Sequence, residues 1–172
     1  MIDVAAPALR LLDAVVDHFA DHDWDLPPRR YIAAGQQAGI AADDEHLAVA
    51  LAAVHRGAAE NSRGGGSSSP AYGAGAAPLV RADYLLRLMR CVAVVDDDGT
   101  PPTAQQIHAD GLRLLEDPGH MLAALYAWGE AEPHNATVNF GPIEPVGPEG
   151  GLAGHLVRVT LAPVQDWPAG AP

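Results

Sequence analysis

The chain has 172 residues, 48% of them hydrophobic but only 5% aromatic, and a formal net charge of −12. That length suits one domain of ordinary size with a core built mostly from Ala, Val and Leu. The acidic balance disfavours nucleic-acid binding, which needs clustered cations; all ten basic residues are Arg, and only Arg29–Arg30 are adjacent.

Residues 4–20 read as an amphipathic helix. Leu9, Leu12, Val16 and Phe19 fall on one face, flanked by Leu11 and Val15, with Arg10, Asp13 and Asp17 opposite. Asp3 is the expected cap, and Pro7 sits in the first turn, where its missing N–H costs little. The segment DHDWDLPP breaks the helix, and RRYIAAGQ (29–36) reads as a short strand. EHLAVALAAVHRG follows, with Leu47, Val49 and Leu51 alternating with alanines; Leu47, Leu51 and Val54 also fit a helix, and the strand is preferred. Residues 57–78 are rich in Gly, Ser, Ala and Pro and poor in large apolar groups, so they are expected to form a long flexible loop between two strands.

VRADYLLRLMRCVAVV (80–95) alternates as a long strand. Ala82, Tyr84, Leu86, Leu88, Val92 and Val94 share one face, interrupted by Arg90; Arg81, Asp83, Arg87 and Cys91 share the other with Leu85 and Met89. Thr103 opens the next helix with Gln106 placed for a capping box and Ile107, Leu114 and Leu115 as its buried stripe. Asp117-Pro118 repeats the cap-then-proline start, so a further helix is expected over 118–130, buried through Met121, Leu122, Leu125 and Tyr126. Two strands, 134–146 and 151–163, close the chain around the turn GPEGG, and the tail 164–172 is expected to be loose. The sum is a single α+β domain over 1–163: a mainly antiparallel central sheet with an N-terminal helix and two further helices packed on it.

Little in this pattern makes a reactive site. Asp96, Asp97 and Asp98 bring three carboxylates together, but consecutive residues point different ways and no calcium-loop spacing follows, so a solvated turn is expected. Asp21-His22-Asp23-Trp24-Asp25 starts like a calcium loop, then fails at its sixth and twelfth positions, which are Leu26 and Ile32. His18 and His22 have the i,i+4 spacing that can hold zinc on a helix face. However, the central Glu of a metalloprotease motif is absent and His22 lies where the helix ends. His108 has no neighbouring His or Cys. There is no lysine for a phosphate loop, and Ser67–Ser69 lack a nucleophile-elbow context. The single cysteine, Cys91, excludes an internal disulfide and a cysteine-built zinc site, and is expected to be a small buried strand residue. No apolar run approaches the roughly 18–20 residues of a membrane span. MIDVAAPALRLLD has no basic region before its apolar stretch, so a secretory signal is not expected. No catalytic residue, cofactor or metal is expected. Arg81, Arg87 and Arg90 on one strand read either as edge charges or as partners at a subunit interface.

The stretch RCVAVVDDDGTPPTAQQIHADGLRLLED, the helix GHMLAALYAW, the strand FGPIEPVGPEGG and the last strand GLAGHLVRVTL, taken with YIAAGQ and EHLAVAL, resemble the tail terminator proteins of long-tailed siphophages, particularly those of actinobacteria. The likeness covers residues 29–163 without the 57–78 loop. It implies an α+β structural virion protein, made in the host cytoplasm, that forms a homo-hexameric ring at the tail–head junction. Such a ring caps the tail tube protein, stops its polymerisation and meets the head-neck connector protein. DNA passes through the lumen without specific binding, and no reaction, cofactor or membrane is involved. On this reading Arg81, Arg87 and Arg90, with Arg63 and Tyr72 in the loop, are interface candidates. Asp96, Asp97 and Asp98 form an acidic turn facing solvent or lumen. The alternatives are another head-tail connector or head-completion protein, and a small metal-dependent enzyme using His18, His22 and nearby aspartates.

Overall fold

A computed structural model describes residues 4–33, 44–56, 80–132 and 136–162. Its elements run α1 (Ala5–Asp21), β1 (Arg29–Ala33), β2 (His46–Arg56), β3 (Val80–Cys91), α2 (Ala104–Ala131), β4 (Thr137–Glu149) and β5 (Leu152–Ala162). The α+β expectation holds, with two differences. The five-stranded sheet, ordered β1-β2-β3-β5-β4, is mixed, because β1 runs parallel to β2 while the other three pairings are antiparallel. Among the described residues there are two helices rather than three, since α2 continues through Pro118.

Both helices cover one face of the sheet. Ala8, Leu11, Leu12, Val15 and Phe19 of α1 and Met121, Ala124, Leu125 and Trp128 of α2 meet Leu47 and Val49, Tyr84, Leu86 and Leu88, and Val157, Val159 and Leu161. The α1 stripe follows helical period but is centred differently from the expectation. Leu9 lies about a quarter-turn off the buried arc and is 50% exposed. Val4 holds the N-cap position of α1 without a side-chain hydrogen bond, and the expected cap, Asp3, lies outside the described residues. At its other end Asp23 adopts a left-handed conformation (φ 51°), and Trp24 donates its backbone N–H to the Phe19 carbonyl. That turn is what the aspartate-rich run 21–25 does locally.

α2 opens as its sequence dictates. Thr103 Oγ1 accepts from the Gln106 amide at 3.2 Å, and Gln106 Oε1 accepts from the Thr103 amide at 2.8 Å, completing the capping box. The middle differs. Asp117 does not cap a new helix; it is fully buried and its carboxylate is held by Arg90 and Trp24. Tertiary bonding of that carboxylate outweighs the break that Pro118 invites, so the helix runs on. The stripe shifts accordingly. Ile107, Leu115, Leu122 and Tyr126, expected inside, are exposed, while Met121 and Leu125 are buried as expected.

β3 ends at Cys91 rather than Val95, and Cys91 is exposed, not buried. β4 starts after the position expected and extends to Glu149, so the hairpin turn narrows to Gly150–Gly151, both with positive φ. Of the expected strand 29–36, residues beyond Ala33 lie outside the described part, as do the 57–78 loop and the tail 164–172.

Candidate functional site

Three polar assemblies and one exposed apolar stripe stand out. The first assembly is a buried charge cluster at the end of β3. Arg90, 0% exposed, donates from Nε and Nη2 to the two carboxylate oxygens of Asp117 at 3.1 and 2.8 Å, and from Nη2 to the Asp25 carbonyl at 2.7 Å. Trp24 Nε1 donates to Asp117 Oδ1 at 2.8 Å. Arg113, one helical turn before Asp117, pairs with Glu45 at 3.0 Å and with Asp25. Burial alone lowers the Arg113 pKa, but the charges of Glu45 and Asp25 outweigh it and the net direction is upward. The cluster ties β3, α2 and the connections around residues 25 and 45 to one another. It also corrects one expectation: Arg90 does not reach the surface, so it is a partner within this chain.

The second assembly lies on the helix-free face of the sheet. Asp83 is buried, accepts from Arg81 at 3.0 and 3.2 Å and from Thr160 at 2.9 Å, and has His55 and Arg158 at 3.4 and 3.5 Å. Burial raises its pKa, yet the hydrogen bonds from Arg81 and Thr160 with the surrounding positive charge bring it below the ordinary value. Arg87, half-buried, sits on the same face, paired in register with Ala48 and Leu156. Arg81, Arg87 and Arg158 there share the face with Leu85 and Leu156; the end around Arg81 and Arg158 is open to solvent, whereas His46, Ala48, Ala50 and Met89 on the same face are buried.

The third assembly joins the two helices. The His18 and His22 rings lie 4.2 Å apart, and His120 of α2 completes a triangle at 5.7 and 6.1 Å. Trp24 stacks on His120 at 4.5 Å with an 18° interplanar angle. Burial, then the neighbouring His22 and His120, push the His18 pKa down against an opposing pull from Asp21. His22 Nδ1 lies 2.8 Å from the His18 carbonyl, which can only accept, so that nitrogen carries the proton. As the side chains stand, no three His, Cys, Asp or Glu among the described residues are arranged to hold a metal ion.

The acidic turn closes on itself: Gly99, at φ 83°, donates to the Asp96 carbonyl, Asp96 N–H donates to the Thr100 carbonyl, and Asp98 accepts from the Thr100 amide at 2.9 Å. Asp96, Asp97 and Asp98 are all exposed. The Thr100 hydrogen bonds hold the Asp98 carboxyl below its ordinary pKa. On the outer side of α2, Leu115, 78% exposed, recurs with Leu122 and Tyr126 at spacings of seven and four, which keeps them on one face. Ile107 and Leu112 flank that stripe.

The structure therefore gathers Arg81 and Arg87 on one face, removes Arg90 to the interior, and leaves Asp96–Asp98 at a separate turn. Arg63 and Tyr72 lie outside the described residues. His120 and Asp117 were missed. The signal for Asp117 was an acid inside an apolar helix stripe matched by a lone Arg on the core face of β3. His120 had no local signal, because its partners lie about a hundred positions away. No described helix is long and apolar enough to cross a membrane. No protein-family model matches the chain, and no curated protein matches it significantly.

Proposed function

We propose that the chain is a non-enzymatic structural protein of the siphophage tail-terminator type. Six copies form a ring at the tail–head junction of the virion, with the tail tube protein on one side and the head-neck connector protein on the other. The observation that carries this reading is the apolar stripe on α2. Five large apolar side chains exposed on one helix exceed the scattered exposure normal for a monomer and mark a surface meant to be covered by protein. The exposed end of the helix-free sheet face, around His55, Arg81 and Arg158, offers a second surface; a head-to-tail ring needs two different surfaces on each copy.

The charge supports the same reading. Six copies would carry 6 × (−12) = −72. Carboxylates such as Asp96, Asp97 and Asp98 turned to a lumen repel DNA and keep its passage unobstructed. The test is the double substitution Leu115→Glu with Leu122→Glu, read by light scattering after size exclusion and by circular dichroism. The proposal expects assembly to be lost with the spectrum unchanged. Wild-type-like assembly of the variant contradicts this use of the stripe, and a twelve-fold ring selects a connector instead.

A further inference from the structure

The two edge strands of the sheet carry opposite charge. The order β1-β2-β3-β5-β4 leaves β1 at one edge and β4 at the other. β1, RRYIA, has two arginines and no acid, whereas β4, TVNFGPIEPVGPE, has two glutamates and no base. Arg30, Glu144 and Glu149 are exposed, and none of the three has an ion-pair partner among the described residues. A chain with a net charge of −12 is thus locally basic along one edge and acidic along the other.

Each edge also exposes apolar groups. α2 lies over β5 and β4, and its Tyr126 ring meets Phe140 of β4 edge to face at 5.7 Å, so the stripe of Leu115, Leu122 and Tyr126 belongs to the β4 side. α1 lies over β2 and β1, and on that side Leu9, Ile32 and Val54 are 50, 38 and 48% exposed. Arg30 and Ile32 are in register with Leu47 and Val49, whose side chains enter the helix-covered core. Both therefore stand on the helix side of β1, the side that carries the α2 stripe at the other edge. His55, which follows Val54, and Arg81, its partner in register, join this edge to the second surface described above.

We infer, resting on the ring reading above, that the β4 edge of one copy is received by the β1 edge of the next, with Arg30 against the β4 carboxylates and Ile32 and Val54 against the α2 stripe. The occupant is a second copy because every chain carries both halves, at opposite edges, so that the contact repeats head to tail. Opposite charge at the seam offsets the repulsion between acidic subunits. An isologous contact through either edge would set glutamate against glutamate or arginine against arginine, which disfavours it. Pro142, Pro145 and Pro148 make β4 a poor template for strand addition, so the seam is built from side chains.

The test is a charge exchange read by sedimentation velocity across a concentration series. Arg30→Glu in one variant, and Glu144→Arg with Glu149→Arg in another, each place like charges at the seam. Each is expected to raise the concentration for half-assembly more than about tenfold. A chain carrying all three substitutions, and an equimolar mixture of the two variants, should return it to within about threefold of wild type. Asp97→Arg, exposed at the separate acidic turn, controls for the change in net charge and should assemble as wild type does. Circular dichroism checks each fold, and Arg30→Gln replaces Arg30→Glu if the latter loses its native spectrum. Six-copy assembly that ignores either reversal, or reversals that fail to rescue one another in folded chains, overturns this contact and leaves the ring standing. Assembly of another size in which the exchange behaves as expected overturns the ring of six and supports the contact. A wild type that stays monomeric at every concentration overturns both.

Discussion

Asp117→Ala isolates the interaction that shapes α2. In the native chain both carboxylate oxygens are engaged, by Arg90 at 3.1 and 2.8 Å and by Trp24 at 2.8 Å. Removing them leaves a fully buried guanidinium with the Asp25 carbonyl at 2.7 Å and two more distant acids, Asp25 Oδ2 at 3.7 Å and Glu45 Oε2 at 3.9 Å. Breaking a buried pair by deleting one partner costs about 3–5 kcal/mol, and the orphaned indole N–H falls partly within that figure, so a loss of about 4 kcal/mol is expected. At about 2–4 °C per kcal/mol for a chain of this size, the melting temperature should drop by about 8–16 °C. Urea unfolding should show a lower midpoint with an unchanged slope. The paired replacement Arg90→Met with Asp117→Leu removes both charges and should recover most of the loss. A single Asp117→Ala chain within about 1 kcal/mol of wild type, or a double variant worse than the single, would refute the reasoning.

Other consequences are as direct. A Cβ at Gly154 would overlap the Leu88 carbonyl across the β3–β5 ladder, so Gly154→Ala should cost at least about 3 kcal/mol in urea unfolding, at or beyond the upper end for overpacking. Thr103→Ala removes the capping box and should cost about 1 kcal/mol, with helicity lost from the first turn of α2 by amide exchange. His18, His46 and His155 all have pKa values lowered from 6.5, first of all by burial, so the unfolded chain binds protons that the folded chain refuses. Their contribution is intact above about pH 6.5 and is lost as pH falls below it; a urea midpoint at pH 5.5 equal to or above that at pH 7.5 contradicts this sign. Changing Asp96, Asp97 and Asp98 together to Ala should leave folding and assembly close to wild type, by melting and size exclusion, because the turn also closes through backbone hydrogen bonds.

The elements with local signatures were readable in advance. Thr103 and Gln106 announce a helix start by chemistry confined to four residues, and the alternation in 80–91 needs only its own period. Where local signals competed with distant partners, the distant partners prevailed. Asp117-Pro118 reads as a helix start until Arg90, 27 residues away, takes up the carboxylate. Leu115, Leu122 and Tyr126 have helical spacing suited to a core, but the sheet accepts the arc of Met121, Ala124, Leu125 and Trp128 instead. The parallel pairing of β1 on β2 matches residues 29–33 with 46–50, a direction that neither segment's own alternation announces. His120 meets His18 and His22 only because α1 and α2 run antiparallel, a tertiary fact that no window of sequence contains.

The central claim is self-assembly into a closed ring, and native mass spectrometry across a concentration series tests it most directly. A ring of this kind gives a species of six copies of the 17.9 kDa chain, about 107 kDa, growing with concentration at the expense of the monomer. A chain that remains monomeric at every concentration contradicts it.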